Sequence, residues 1–215
     1  MDFEAKVKHT KTGLERFVFF SDAVVAIAIT LLVLPLVDSA RQMGSAATGT
    51  FFVKNAFQLL AAGVTFAAIG SSWRIHHRLF EQATGYSRIL VRVNFLWLAV
   101  VVFFPVATEL LVVSPRSDRL ATGLYIGTIA MLMALLRAEE FILRRSQLMS
   151  EEARLTHTEE VARWIPVILR LLALIIGVVV PGVGLWALVV VLPEWGIEYA
   201  VARHLRAAAG KVTPA

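Results

Sequence analysis

The chain has 215 residues, of which 58% are hydrophobic and 17% charged, and its mean hydropathy is +0.72. A water-soluble domain carries about a quarter charged residues, so this composition excludes an ordinary soluble protein and describes an integral membrane protein. The net charge of +5 does not signal nucleic acid, because Lys and Arg sit between the apolar runs. With no cysteine in the chain, disulfides and thiolate metal sites are excluded too.

The first apolar run, residues 16–36, reads RFVFFSDAVVAIAITLLVLPL. It is too long for the core of a signal peptide and has no small-x-small cleavage site, so it is expected to stay as a membrane helix over about residues 17–37. Further spans are expected at roughly 53–73, 89–113, 120–143, 164–180 and 183–201, each near the ~20 residues that cross the hydrocarbon core. The last two are joined only by PGVG, which predicts a tight helical hairpin. Residues 146–160, SQLMSEEARLTHTEE, read as a cytoplasmic connection between the fourth and fifth spans. Lys and Arg set the orientation: sixteen fall on one side of these spans and four on the other, with Arg170 inside the fifth. The rule that positive loops stay inside then places both termini in the cytoplasm. The fold expected is an all-α integral membrane protein, a single six-helix domain over 1–215, multi-pass in a cell membrane.

Asp22 is the unusual residue of the first span, because an acid within a membrane normally faces the bundle interior and a partner. On a helical wheel of about 100° per residue, Arg16, Phe20, Thr30, Leu31 and Leu34 all fall within about 60° of Ile27. Asp22 lies at about 220° and Ser21 at about 120° from it, so the stripe and the acid look into different surroundings. Two readings of the stripe fit the pattern. It touches lipid or a neighbouring helix, or it lines a pore in which symmetry copies make hydrophobic rings that gate or narrow the path. Periodicity does not choose between them. Trp73, His76 and His77 end the second span and Asn94 starts the third, all at the depth of Asp22. The indole, imidazole and amide can donate to a carboxylate, which permits a buried network.

Arg16-x-x-x-Phe20-Ser21-Asp22 followed by AIAITLLVL resembles the signature of the transmembrane protein 175 family, the endolysosomal potassium channels and their prokaryotic relatives. WRIHHRLF at 73–80, Asn94, Leu98 and FFP at 103–105 extend the resemblance across the first three spans. The last three match in number and length only. The resemblance implies a homotetramer in the bilayer, in a prokaryotic plasma membrane, that passes monovalent cations with a modest preference for potassium over sodium. The first helix of each copy would line a central pore. Ile27 would form the narrowest hydrophobic ring, Leu31 and Leu34 would continue the lining, and Thr30 would present a hydroxyl beside the constriction. Arg16, Phe20, Ser21 and Asp22 would form the structural motif, with Trp73, His77 and Asn94 as network partners. No cofactor and no metal beyond the permeating potassium is implied. The carbonyl-lined TVGYG filter of other potassium channels does not occur in the chain. Pro35 departs from the family pattern, which has an acidic or polar residue at that place in many members, and bears on the shape of the outer mouth.

Two other readings compete. Glu139-Glu140-x-x-x-Arg144 looks like the first motif of intramembrane CAAX-type proteases. Those enzymes also need Phe-x-x-x-His, and Ala153 and Ala200 stand where a Phe should precede His157 and His204. An enzyme is therefore not expected. The alternative to a channel is a secondary transporter or other non-channel membrane protein. Arg170 is a possible midplane charge, able to pair with an acid such as Glu139. Against a transporter, no inverted repeat is visible, and Gly177, Gly182 and Gly184 cluster at the hairpin turn instead of breaking a helix at the midplane.

Overall fold

The computed structural model of the chain describes residues 11–44 and 47–150. The fifth and sixth expected spans and most of the 146–160 connection lie outside the described residues. The regular elements among the described residues are six helices: α1 Lys11–Leu31, α2 Leu34–Arg41, α3 Thr48–Lys54, α4 Ala56–Glu81, α5 Arg88–Val113 and α6 Arg119–Arg145. Four segments, 12–41, 56–81, 88–113 and 119–145, are long and apolar enough to cross a membrane.

The helix ends follow local chemistry. Ser87 caps α5 by accepting from the Leu90 amide, and the Asp118 carboxylate caps α6 by accepting from the Leu120 and Ala121 amides. The expected first span is not one continuous helix. Pro35 has no amide hydrogen to give the Leu31 carbonyl, so α-helical bonding cannot run through it. Ahead of it the chain tightens: the Leu32 amide bonds the Ile29 carbonyl and the Val33 amide the Thr30 carbonyl, three residues back in each case. Helix resumes at Leu34 with the proline in its first turn, where a missing donor costs nothing. The expected second span begins earlier and ends earlier than the helix does. The chain breaks at Asn55, whose amide side chain donates to the Phe51 carbonyl and closes α3. Beyond Trp73, α4 runs on for two more turns to Glu81.

In lipid, apolar side chains gain little by touching each other instead of acyl chains, so helix association rests on close packing and interhelical hydrogen bonds. Both are present. Ala28, Ala61 and Ala107 are fully buried and let backbones approach. Trp97, Phe104, Tyr125, Ile69, Ile129 and Leu132 fill the space between α4, α5 and α6. Toward one end, Thr65 shares hydrogen bonds with Thr108 (2.9 Å) and with the Tyr125 hydroxyl (3.0 Å), which ties the three helices together. Thr108 also lies 2.9 Å from the Phe104 carbonyl, one residue before Pro105 inside α5. Tyr125→Phe should cost about 0.6–1.5 kcal/mol, read as a lower unfolding temperature in detergent, because membrane side-chain hydrogen bonds are worth that much.

At the other end, Leu14 and Phe17 of α1 pack with Leu79, Phe80, Leu90 and Leu143. The start of α1, the end of α4, the start of α5 and the end of α6 therefore share one side of the bundle, as an alternating topology requires. Two backbone bonds close that side: the Thr84 amide to the Leu148 carbonyl at 2.8 Å, and the Ser150 amide to the Gln82 carbonyl at 3.0 Å.

Candidate functional site

Helix α1 has two faces of opposite character. Leu14, Ser21, Val25, Ala28 and Leu32, spaced by seven, four, three and four residues, are buried against the bundle. The opposite stripe is uncovered: Ile27 is 61% exposed, Leu34 55% and Leu31 37%. Thr30 shares this face and donates its hydroxyl proton to the Ile27 carbonyl at 2.7 Å. With that proton committed, the Thr30 oxygen offers only lone pairs outward. The break after Leu31 alters the register of Leu34, which nevertheless remains on the uncovered side. Beside the break, a cavity of about 250 Å³ is lined by Leu31, Leu34, Pro35, Gln58, Val106 and Glu109 among others.

The motif residues divide between the two faces. Arg16 and Phe20 are exposed, with the Phe20 ring 5.8 Å from that of Phe95 on α5. Ser21 is fully buried. Its hydroxyl lies 3.0 Å from Oδ1 of Asn94 and 3.1 Å from the Phe17 carbonyl. Asp22 is half-buried, and its Oδ1 accepts from the Trp73 indole Nε1 at 2.7 Å. Thus the acid is bound from α4, away from the Ile27 stripe. Trp73→Phe keeps the ring that stacks on His77 but removes the donor to Asp22. A hydrogen bond to a carboxylate that water can still reach is worth about 1 kcal/mol, and the unfolding temperature should fall accordingly.

The expected network partners separate into two groups. Trp73 and His77 stack at 5.4 Å, and His77 Nε2 lies 3.4 Å from a Glu81 carboxylate oxygen. Asn94 belongs elsewhere: its Nδ2 lies 2.7 Å from Nε2 of His76, and its Oδ1 faces Ser21. His76 is fully buried, with its ring parallel to Trp97 at 4.4 Å. Glu139 of α6 completes this buried cluster. It is fully buried, with Oε2 3.9 Å from His76 Nε2. Glu140, next to it, is instead held by Arg137 at 2.8 Å and by Arg144 at 2.9 Å. Sequence reasoning named His76 but gave Glu139 no place in this cluster. The signal was present as a carboxylate on the α6 face that carries Leu132, Leu136 and Leu143, all buried.

An up-and-down helical bundle of membrane-spanning length, with one leading helix packed on one side and uncovered along an apolar stripe on the other, is the frame of a multi-pass membrane protein. Residues 16–105 match the family model described as endosomal/lysosomal potassium channel TMEM175. That segment carries the first two long spans and most of the third, and the chain is similar to that family over those residues. A protein from Streptomyces collinus named as a potassium channel is 39% identical over 103 residues, which are 46% of this chain. The match spans about half of that relative's own length, 48%. The fold is similar to the crystal structure of a lysosomal potassium-selective channel TMEM175 homolog from Chamaesiphon minutus, with a TM-score of 0.66 and 22% identity. That likeness covers 90% of this chain and 98% of the other.

Proposed function

We propose that this chain forms a cation channel that passes potassium with a modest preference over sodium, as a homotetramer in which α1 of each copy lines the central path. The observation that carries the reading is the split character of α1. One face is locked into its own bundle, and the apolar stripe of Ile27, Leu31 and Leu34 is largely uncovered among the described residues. Two relatives, one named a potassium channel and one a potassium-selective channel homolog, support the choice of ion.

In this reading, rings of Ile27 form a constriction that offers no ligand to a passing ion. An ion crosses by shedding part of its water, and a hydrophobic constriction of this kind restricts flow by dewetting. Potassium gives up water at lower cost than sodium, so the ring favours potassium without coordinating it. The Thr30 oxygen, one turn outward and presenting lone pairs only, repays part of the lost hydration. Asp22 takes no part in conduction; with Trp73 it sets the rotation of α1, and so directs Ile27 at the axis.

The test is ion flux through purified protein in lipid vesicles, under potassium, sodium and caesium gradients in turn. The expected result is faster flux of potassium and caesium than of sodium, rising with concentration without saturation. Flux that saturates at low concentration would instead identify a carrier, and no flux at all would remove the channel reading.

A further inference from the structure

The cavity beside the break in α1 is polar at one end and apolar at the other. Gln58, in the first turn of α4, and Glu109, late in α5, line it at the end of the bundle opposite the start of α1. Leu31, Ala62, Val102 and Val106 line it a turn or two deeper in the membrane. The change from polar to apolar runs along the helix axes, which is the direction in which a membrane amphiphile stands.

The polar end offers acceptors. Among the described residues no hydrogen bond or ion pair holds the half-buried Glu109 carboxylate. Two cations on the same side of the bundle lie against other groups: Arg116 is over the Phe57 ring at 5.3 Å, and Arg41 is 3.4 Å from Asp38. The Gln58 carbonyl oxygen accepts from the Ser39 hydroxyl at 3.1 Å and has a second lone pair. Pro35, also in the wall, has no amide hydrogen to give the Leu31 carbonyl. A carboxylate, an amide oxygen and a carbonyl short of its helical donor suit a ligand head that is positive and rich in N–H groups. An ammonium has three donors and no acceptor. The deeper wall is mostly Leu, Val, Pro and Ala, which suits an apolar body. An apolar cavity of about 150 Å³ takes a benzene ring, so one of about 250 Å³ takes a ring and a short chain.

We propose that this cavity binds an amphiphilic amine, a primary arylalkyl ammonium ion whose head pairs with Glu109 and Gln58 and whose ring enters between α1, α4 and α5. The site adjoins Leu31, Leu34 and Pro35, where α1 breaks. An occupant therefore wedges against the break and moves Leu34 away from α5. In the channel reading given above, that displacement narrows the path and slows potassium flux. The effect on flux rests on that reading; binding itself does not.

Binding is tested by calorimetric titration of the full chain in lipid nanodiscs, with empty nanodiscs subtracted. The probes are phenylbutylamine, which is protonated at neutral pH, the neutral phenylbutanol and the anionic phenylbutyrate. The amine should bind more tightly than the alcohol by about tenfold or more, the size of a hydrogen bond to a charged group, and the acid should not bind. Glu109→Gln should erase the advantage of the amine, and Glu109→Asp, which keeps a carboxylate, should retain most of it. Val106→Phe fills the cavity from a half-exposed position, which spares the fold, and should abolish binding of amine and alcohol alike. An amine that does not bind the wild type, that binds no better than the alcohol, or whose binding survives both Glu109→Gln and Val106→Phe overturns the site. In vesicles, the amine should slow wild-type potassium flux and lose that effect in Val106→Phe. Flux that the bound amine leaves unchanged, or a block that persists in Val106→Phe as an amine lodged in the conduction path would give, overturns the wedge at the break. A protein that binds the amine with this pattern of variants but passes no ions leaves the site standing and removes the channel reading.

Discussion

Asn94→Leu should destabilise the protein by about 2–4 kcal/mol, read by thermal unfolding in detergent, because a buried donor or acceptor stripped of its partner costs about 1–3 kcal/mol and two are stripped here. Nε2 of His76 loses the amide at 2.7 Å, and Ser21 loses its link from α1 to α5 at 3.0 Å. Leucine is close to asparagine in size, so the loss is of hydrogen bonds and not of volume. Ser21 can fall back on the Phe17 carbonyl, so Ser21→Ala alone should cost less than Asn94→Leu. Equal stability of Asn94→Leu and wild type would mean that the cluster does not hold α1.

Ile27→Asn should act on flux and leave the fold intact. The residue is largely exposed among the described residues, so unfolding should shift little. At a constriction, an amide ring supplies donors and acceptors that replace lost water. Lowering a barrier by about 1.4 kcal/mol raises a rate tenfold, and an increase of about that size or more in ion flux is expected. Selectivity should fall at the same time, because sodium, the more tightly hydrated ion, gains more from a polar ring than potassium does. Flux and selectivity both unchanged would place Ile27 away from the conduction path.

Much of this arrangement was legible in the sequence. The third and fourth long spans, α5 and α6, lie within a few residues of their apolar runs, and Ser87 and Asp118 mark their starts. The wheel separated Asp22 from Ile27 correctly, because rotation within one helix depends only on residue count. Pro35 announced the end of α1, although the run of Leu and Val across it hid the break. Hydropathy also ended the second span at Trp73, since Arg74, His76, His77 and Arg78 read as an aqueous edge, whereas α4 continues to Glu81 with His76 inside the bundle.

The buried cluster was harder to read for a definite reason. His76 and His77 are about 100° apart on one helix, and which of them faces inward depends on how α4 is rotated by its neighbours. Nothing local in the sequence decides that. Glu139 and Glu140 pose the same problem on α6. One is paired with arginines on its own helix, a spacing visible in the sequence, and the other meets a histidine 63 positions away, which is not.

The central claim is that the uncovered stripe of α1 faces a water path through the membrane. The chain has no cysteine, so Ile27→Cys carries the only thiol and can be tested without background. A small water-soluble thiol reagent is added to vesicles containing this variant while potassium flux is followed, with Met131→Cys, exposed on α6, as the comparison. The account predicts that flux stops in Ile27→Cys and persists in Met131→Cys. An Ile27→Cys protein that conducts and is left unmodified or unblocked, as a residue turned toward acyl chains would be, contradicts it.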